Sequence, residues 1–142
     1  AKDKNAVYFR SREELMEIEW SNPSEFEIVD DIYAKDDKYI YIRGGNDWWT
    51  EHKFLGTIDY IDTETFEVIN SYIKDQHKAY YISVDYHEYI IQEIEWVDLE
   101  TFEWIEENYS KDKNYLYFNT GWDKWYKIAW VDFETLDILY YY

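Results

Sequence analysis

Cysteine is absent from this 142-residue chain, which excludes disulfides and thiolate chemistry and leaves the redox compartment open. No apolar run approaches the roughly 18–20 residues that a membrane-spanning helix requires. Basic residues are few: 14 Lys and Arg stand against 32 Asp and Glu, giving a net charge of −18. Such a surface repels nucleic-acid phosphates and anionic lipid, so ordinary nucleic-acid binding is disfavoured, while cations, basic proteins or simple solubility are favoured. Gly, Pro, Ala and Arg are scarce beside abundant Tyr, Ile, Lys, Asn, Asp and Glu, a bias that an AT-rich genome also produces. Catalytic signatures are missing as well. There is no G-x-S-x-G and no dinucleotide fingerprint, and Gly44-Gly45 is a turn signal without the Lys or Ser of a phosphate loop.

What is present argues for a folded domain. High charge with low hydropathy is the composition of disorder, but 23% aromatic residues and abundant Ile and Val supply a core. The length is that of one domain, residues 1–142. The chain opens on Ala1, already inside a repeat, which is compatible with removal of a leader, so its location stays open: cytoplasmic, or exported if a leader preceded Ala1.

One phrase occurs four times: Lys2 to Phe9, Lys35 to Ile42, Lys74 to Ile82 and Lys111 to Phe118. A second alternates with it, from Trp20 to Val29, Tyr60 to Ile69, Trp96 to Ile105 and Trp130 to Leu139. Such self-similarity decides the architecture. Each copy reads as three strands. In strand A, Val7, Ile40, Tyr80 and Leu116 share a face with Phe9, Ile42, Ile82 and Phe118, while Tyr8, Tyr41, Tyr81 and Tyr117 face the other way, packed at the base and wet at the edge. In strand B, Ile18 and Trp20, Ile58 and Tyr60, Ile94 and Trp96, Ile128 and Trp130 are each two apart, which predicts that Trp20, Trp96 and Trp130 are core. A polar turn follows, at Asn22-Pro23, Asp62-Thr63, Asp98-Leu99 or Asp132-Phe133, and strand C begins at Phe26, Phe66, Phe102 or Leu136.

The expected fold is all-β: four tandem three-stranded antiparallel β-meander repeats, approximately 1–33, 34–73, 74–109 and 110–142, forming a curved repeat array. The alternative is a small closed propeller-like arrangement.

Spacing separates scaffold from surface. From the strand C Phe to the next strand A Tyr is 15 residues each time, whereas from that Tyr to the following Phe or Leu is 18, 25, 21 and 19. Variable connections tolerate insertion and tend to carry function. The A-to-B loops hold Trp48, Trp49 and His52, then Tyr86 and His87, then Trp122, Trp125 and Tyr126. These are the candidate binding residues, with Trp48 and Trp49 expected to be more exposed than the strand B tryptophans.

The pairs Asp62/Glu64, Asp98/Glu100 and Asp132/Glu134 recur in every complete copy, which fits a turn scaffold better than a catalytic or calcium site occurring once. His52, His77 and His87 share no metal-ligand spacing and read as surface loop residues. No catalytic residue, metal or cofactor is expected. The favoured function is a non-enzymatic acidic protein-binding module using loop aromatics on one edge, with a protein partner of basic character. The alternative is an acidic inhibitor, an immunity or phage anti-defence protein that blocks a nucleic-acid-binding site by charge mimicry. A carbohydrate-binding module is third.

The runs Asp3 to Tyr8 and Asp112 to Tyr117, with Asp62 to Ile69 and Asp98 to Ile105, resemble the DKNYY repeat family of bacterial proteins over essentially the whole chain. The second and third copies depart from the pattern at Asp36-Asp37-Lys38-Tyr39 and Asp75-Gln76-His77-Lys78. The resemblance implies a bacterial or phage origin and transfers no catalytic residue.

Overall fold

The computed structural model describes residues 1–10, 15–44, 53–84, 88–106, 108–120 and 125–136. The described chain is all-β and antiparallel, with fourteen strands and no helix. Strands β1 (Tyr8–Arg10) and β2 (Leu15–Glu17) form a two-stranded sheet. Strands β3 (Glu27–Ile28), β4 (Tyr33–Lys35), β5 (Ile40–Gly44) and β6 (Lys53–Ile58) form the second sheet in sequence order. The third contains β7 (Glu67–Ile69), β8 (Tyr72–Lys74), β9 (Ala79–Val84) and β10 (Tyr89–Glu93). The fourth contains β11 (Glu103–Glu106), β12 (Tyr109–Lys111), β13 (Tyr115–Asn119) and β14 (Trp125–Ala129).

These are not three-stranded meanders. The segment expected to be one strand C is a tight hairpin, so three sheets have four strands each. In the second sheet the reversal is made by Asp30, whose Oδ1 accepts the amides of Ile32 at 2.7 Å and Tyr33 at 2.8 Å. In the third it is made by Asn70, held at φ 57°, a left-handed conformation that Asn adopts more readily than most residues.

The sheets also differ from the half-wet expectation, because consecutive sheets cover one another's faces. Ile40, Ile42 and Ile58 of the second sheet pack with Phe66, Ile73, Tyr80 and Ile82 of the third or its connector. Tyr72, Tyr81 and Ile94 of the third pack with Phe102 and Tyr117. Val7 and Ile18 of the first pack with Tyr41. Tyr41, Tyr81 and Tyr117 are therefore buried rather than wet at the edge, since a neighbouring sheet lies where solvent was expected. Edge-to-face rings tie the junctions, Tyr33 on Phe66 at 5.9 Å and Tyr72 on Phe102 at 5.5 Å between centroids.

Candidate functional site

The repeated aspartate of the Lys-Asp phrase organises one end of every sheet. Asp112 Oδ1 accepts the amides of Asn114 at 2.7 Å and Tyr115 at 2.8 Å, closing the turn from β12 to β13. Its Oδ2 accepts the Tyr117 hydroxyl at 2.7 Å and the amide of Asp98, in the connector between sheets, at 2.8 Å. Asp36 repeats the pattern with Lys38, Tyr39, Tyr41 and Asn22. Asp75 holds His77, Lys78 and the Asp62 amide in the same way. Burial alone pushes the Asp36 carboxyl up, but the Tyr41 hydroxyl and three amides more than reverse this and hold it below the ordinary carboxylate range. Burial first, and then the hydrogen bond to Asp112, pushes the Tyr117 hydroxyl well above its usual value. These acids are structural: each joins a turn to a connector, and Asp36 and Asp112 also hold a strand tyrosine.

The connectors behave as turn scaffold. Asp62 Oδ1 accepts the Glu64 amide at 3.0 Å, and Asp132 Oδ1 accepts that of Glu134 at 3.1 Å. His77 lies in the turn after β8, its amide bound to Asp75. Among the described residues, no group of three or more His, Cys, Asp or Glu is placed to hold a metal ion, and no helix is long and apolar enough to cross a membrane.

At the same end of the sheets lies a feature that contradicts the sequence expectation. Trp20, Trp96 and Trp130 are not core: they are 83%, 79% and 99% exposed. Ile18, Ile58 and Ile94 are buried as expected, but two residues on the strand has ended. Trp20, Trp96 and Trp130 sit in left-handed backbone at φ 70°, 66° and 63°. In the first case Ser21 closes the turn on the Ile18 carbonyl, by its hydroxyl at 2.8 Å and its amide at 3.4 Å. A turn with positive φ at its third residue favours glycine, so placing an indole there costs on the order of 1–3 kcal/mol. The fourth member, Tyr60, is 58% exposed and rests edge-to-face on Tyr80 at 6.0 Å. Beside it is an open depression lined by Asp59, Asp62, His77 and Lys78.

Each of three aromatics follows an exposed acid: Glu19 before Trp20, Asp59 before Tyr60 and Glu95 before Trp96. Pure period-two reading missed this edge because Ile18 and Trp20 have strand spacing. The available signal was the polar turn beginning at Asn22, which leaves no room for Trp20 inside the strand.

The loop residues chosen from the sequence lie mostly elsewhere. Trp48, Trp49, His52, Tyr86, His87 and Trp122 fall outside the described residues. Trp125 opens β14 half-buried, against Tyr117 at 6.2 Å. Tyr126 is 51% exposed and stacks on Phe118 at 6.5 Å. Trp125 and Tyr126 open β14 at the end opposite Trp130, so this strand carries aromatics at both of its ends.

No match was found among curated proteins or among solved structures. Residues 1–84 match the DKNYY family, and with its repeated Lys-Asp turns the chain belongs to that family.

Proposed function

We propose that this protein is a non-enzymatic acidic binding module for a basic protein, presenting Trp20, Tyr60, Trp96 and Trp130 from a curved array of four repeat units. The observation that carries the reading is the three indoles held out in solvent from left-handed backbone that glycine would fit better. Strained exposed positions concentrate at functional sites, and tryptophan is among the residues that dominate binding energy in protein interfaces.

The choice of a basic partner rests on charge and chemistry. An exposed carboxylate next to an aromatic face suits a Lys or Arg side chain, which gains from both the ring and the acid. The −18 net charge steers such a partner toward the surface. The buried Asp36, Asp75 and Asp112 are spent on internal hydrogen bonds and leave this role to exposed acids such as Glu19, Asp59 and Glu95.

The test is titration of a lysine- and arginine-rich peptide against wild type and the triple variant Trp20→Gly, Trp96→Gly, Trp130→Gly. Loss of about tenfold or more in affinity, equivalent to roughly 1.4 kcal/mol, with the fold retained, is the expected result. Wild-type affinity in the triple variant moves the interface away from this edge. Affinity that vanishes on raising salt, with no dependence on the indoles, assigns binding to charge alone.

A further inference from the structure

The joint between one sheet and the next is made by the same hydrogen bond each time. Two residues after an exposed ring, a connector amide donates to the turn aspartate of the following sheet: Asn22 to Asp36 at 2.8 Å, Asp62 to Asp75 at 2.9 Å and Asp98 to Asp112 at 2.8 Å. Two residues before the ring, Ile18, Ile58 and Ile94 are anchored in the core. Each ring is therefore held between two fixed points that recur from sheet to sheet.

The turn carrying the aspartate lies at the same end of its sheet as the next ring. Strand pairing sets this: Ile40 faces Ile58, Tyr80 faces Glu93 and Tyr115 faces Ala129, each just after the turn and just before the ring. Trp20, Tyr60, Trp96 and Trp130 thus stand along one edge of the stack, one to a sheet. Sheets packed face to face lie about 10 Å apart, so the four rings form a ladder with rungs at about that interval. Between the rungs the edge is charged. Glu19, Asp59 and Glu95 are exposed beside the first three rings. Lysines of the neighbouring turns are engaged elsewhere: Lys38 lies over the Tyr39 ring, Lys78 pairs with Glu93 and Lys113 with Asp98.

We propose that this ladder takes one extended basic peptide segment, with a Lys or Arg at every third position set against successive rungs. The inference rests on the reading of this edge as the binding surface, and adds the conformation and spacing of the partner. A polyproline II chain turns once in three residues and rises about 3.1 Å per residue, so every third side chain points the same way at steps of about 9.3 Å. The mismatch with the sheet spacing reaches only about 2 Å over three steps, which a flexible lysine stem takes up. A β-strand returns to the same face every two residues, at about 6.7 Å, and is out of step after one rung. An α-helix returns after seven residues, at about 10.5 Å, but helices dock by a continuous apolar stripe, and here rings alternate with carboxylates. Polyproline II segments are recognised by aromatic surfaces, and they arrive already extended.

The test uses proline-rich peptides of identical composition, with four lysines placed either at every third position or together at one end, titrated calorimetrically. The regularly spaced peptide is expected to bind about tenfold or more tightly, because each rung after the first is engaged at high effective concentration. Trp96→Gly, which removes an exposed inner rung, should erase most of that preference. Equal affinities for the two arrangements, both weakened by the triple glycine variant, overturn the spacing while the binding edge stands. Affinities that the triple variant leaves unchanged fail the edge itself, and this inference with it. Tighter binding of a helical peptide with lysine at every seventh position overturns the extended occupant. Binding of a neutral β-glucan chain to the exclusion of both peptides assigns the ladder to carbohydrate and overturns the proposal.

Discussion

The Tyr117 hydroxyl donates to Asp112 Oδ2 at 2.7 Å, and the same oxygen receives the backbone amide of Asp98 from the connector fourteen residues earlier. One carboxylate thus fixes a turn, a core tyrosine and the path between sheets. Replacing Asp112 with Ala leaves several buried donors without an acceptor and should cost about 3–5 kcal/mol, the range for breaking buried charged networks. Tyr117→Phe removes one donor and should cost about 1–2 kcal/mol. Urea unfolding of the two variants checks both, and similar small losses would show that the carboxylate is not the hub.

Acid should destabilise the protein through Asp36. The Asp36 carboxyl is held below its unfolded value, so its stabilisation is fully present above the unfolded pKa of about 4 and is lost as pH falls through the lower folded value. Stability measured from pH 7 downward should therefore be level and then fall below about pH 4. Asp36→Asn should be less stable at neutral pH and show a shallower acid limb.

Trp96 offers a sharp reversal of the usual rule for tryptophan. A buried indole replaced by a small residue costs about 3–5 kcal/mol, but Trp96 is exposed and its backbone is left-handed. Trp96→Gly should leave the melting temperature unchanged or raise it, by an amount equivalent to up to about 1 kcal/mol. A large drop would return Trp96 to the core.

Ile94 and Ile128 occupy the same repeat position with different cover. Ile94→Ala should cost about 2–4 kcal/mol, and Ile128→Ala less than about 1 kcal/mol at low protein concentration. Denaturation of both variants in dilute solution makes the comparison. Equal costs would mean that the last sheet is covered in the isolated chain.

The repeat, the all-β class and the buried isoleucines were legible because burial on one strand face imposes a two-residue period: Ile18, Ile58 and Ile94 obey it. The hairpin inside strand C was not separated, although Asp30-Asp31 and Asn70-Ser71 are turn-forming pairs, because the hydrophobic pattern on either side runs on without a break. Tyr41, Tyr81 and Tyr117 were misjudged since sheet stacking, a contact between repeats, has no period within one repeat. The tryptophans were misjudged because Ile18 and Trp20 have the spacing of a strand, whereas backbone φ at Trp20 is set by the turn that follows. Most of the loop residues selected as candidates, among them Trp48 and His87, lie outside the described residues, while Trp125 and Tyr126 divide between packing and exposure.

The aspartate that grips its own turn and the preceding connector has a genetic consequence. A tandem duplication of one period carries a complete joint with it, both the carboxylate and the amide it needs, wherever in the period the copy begins. Such a protein can lengthen or shorten by whole units without any residue having to change at the seam.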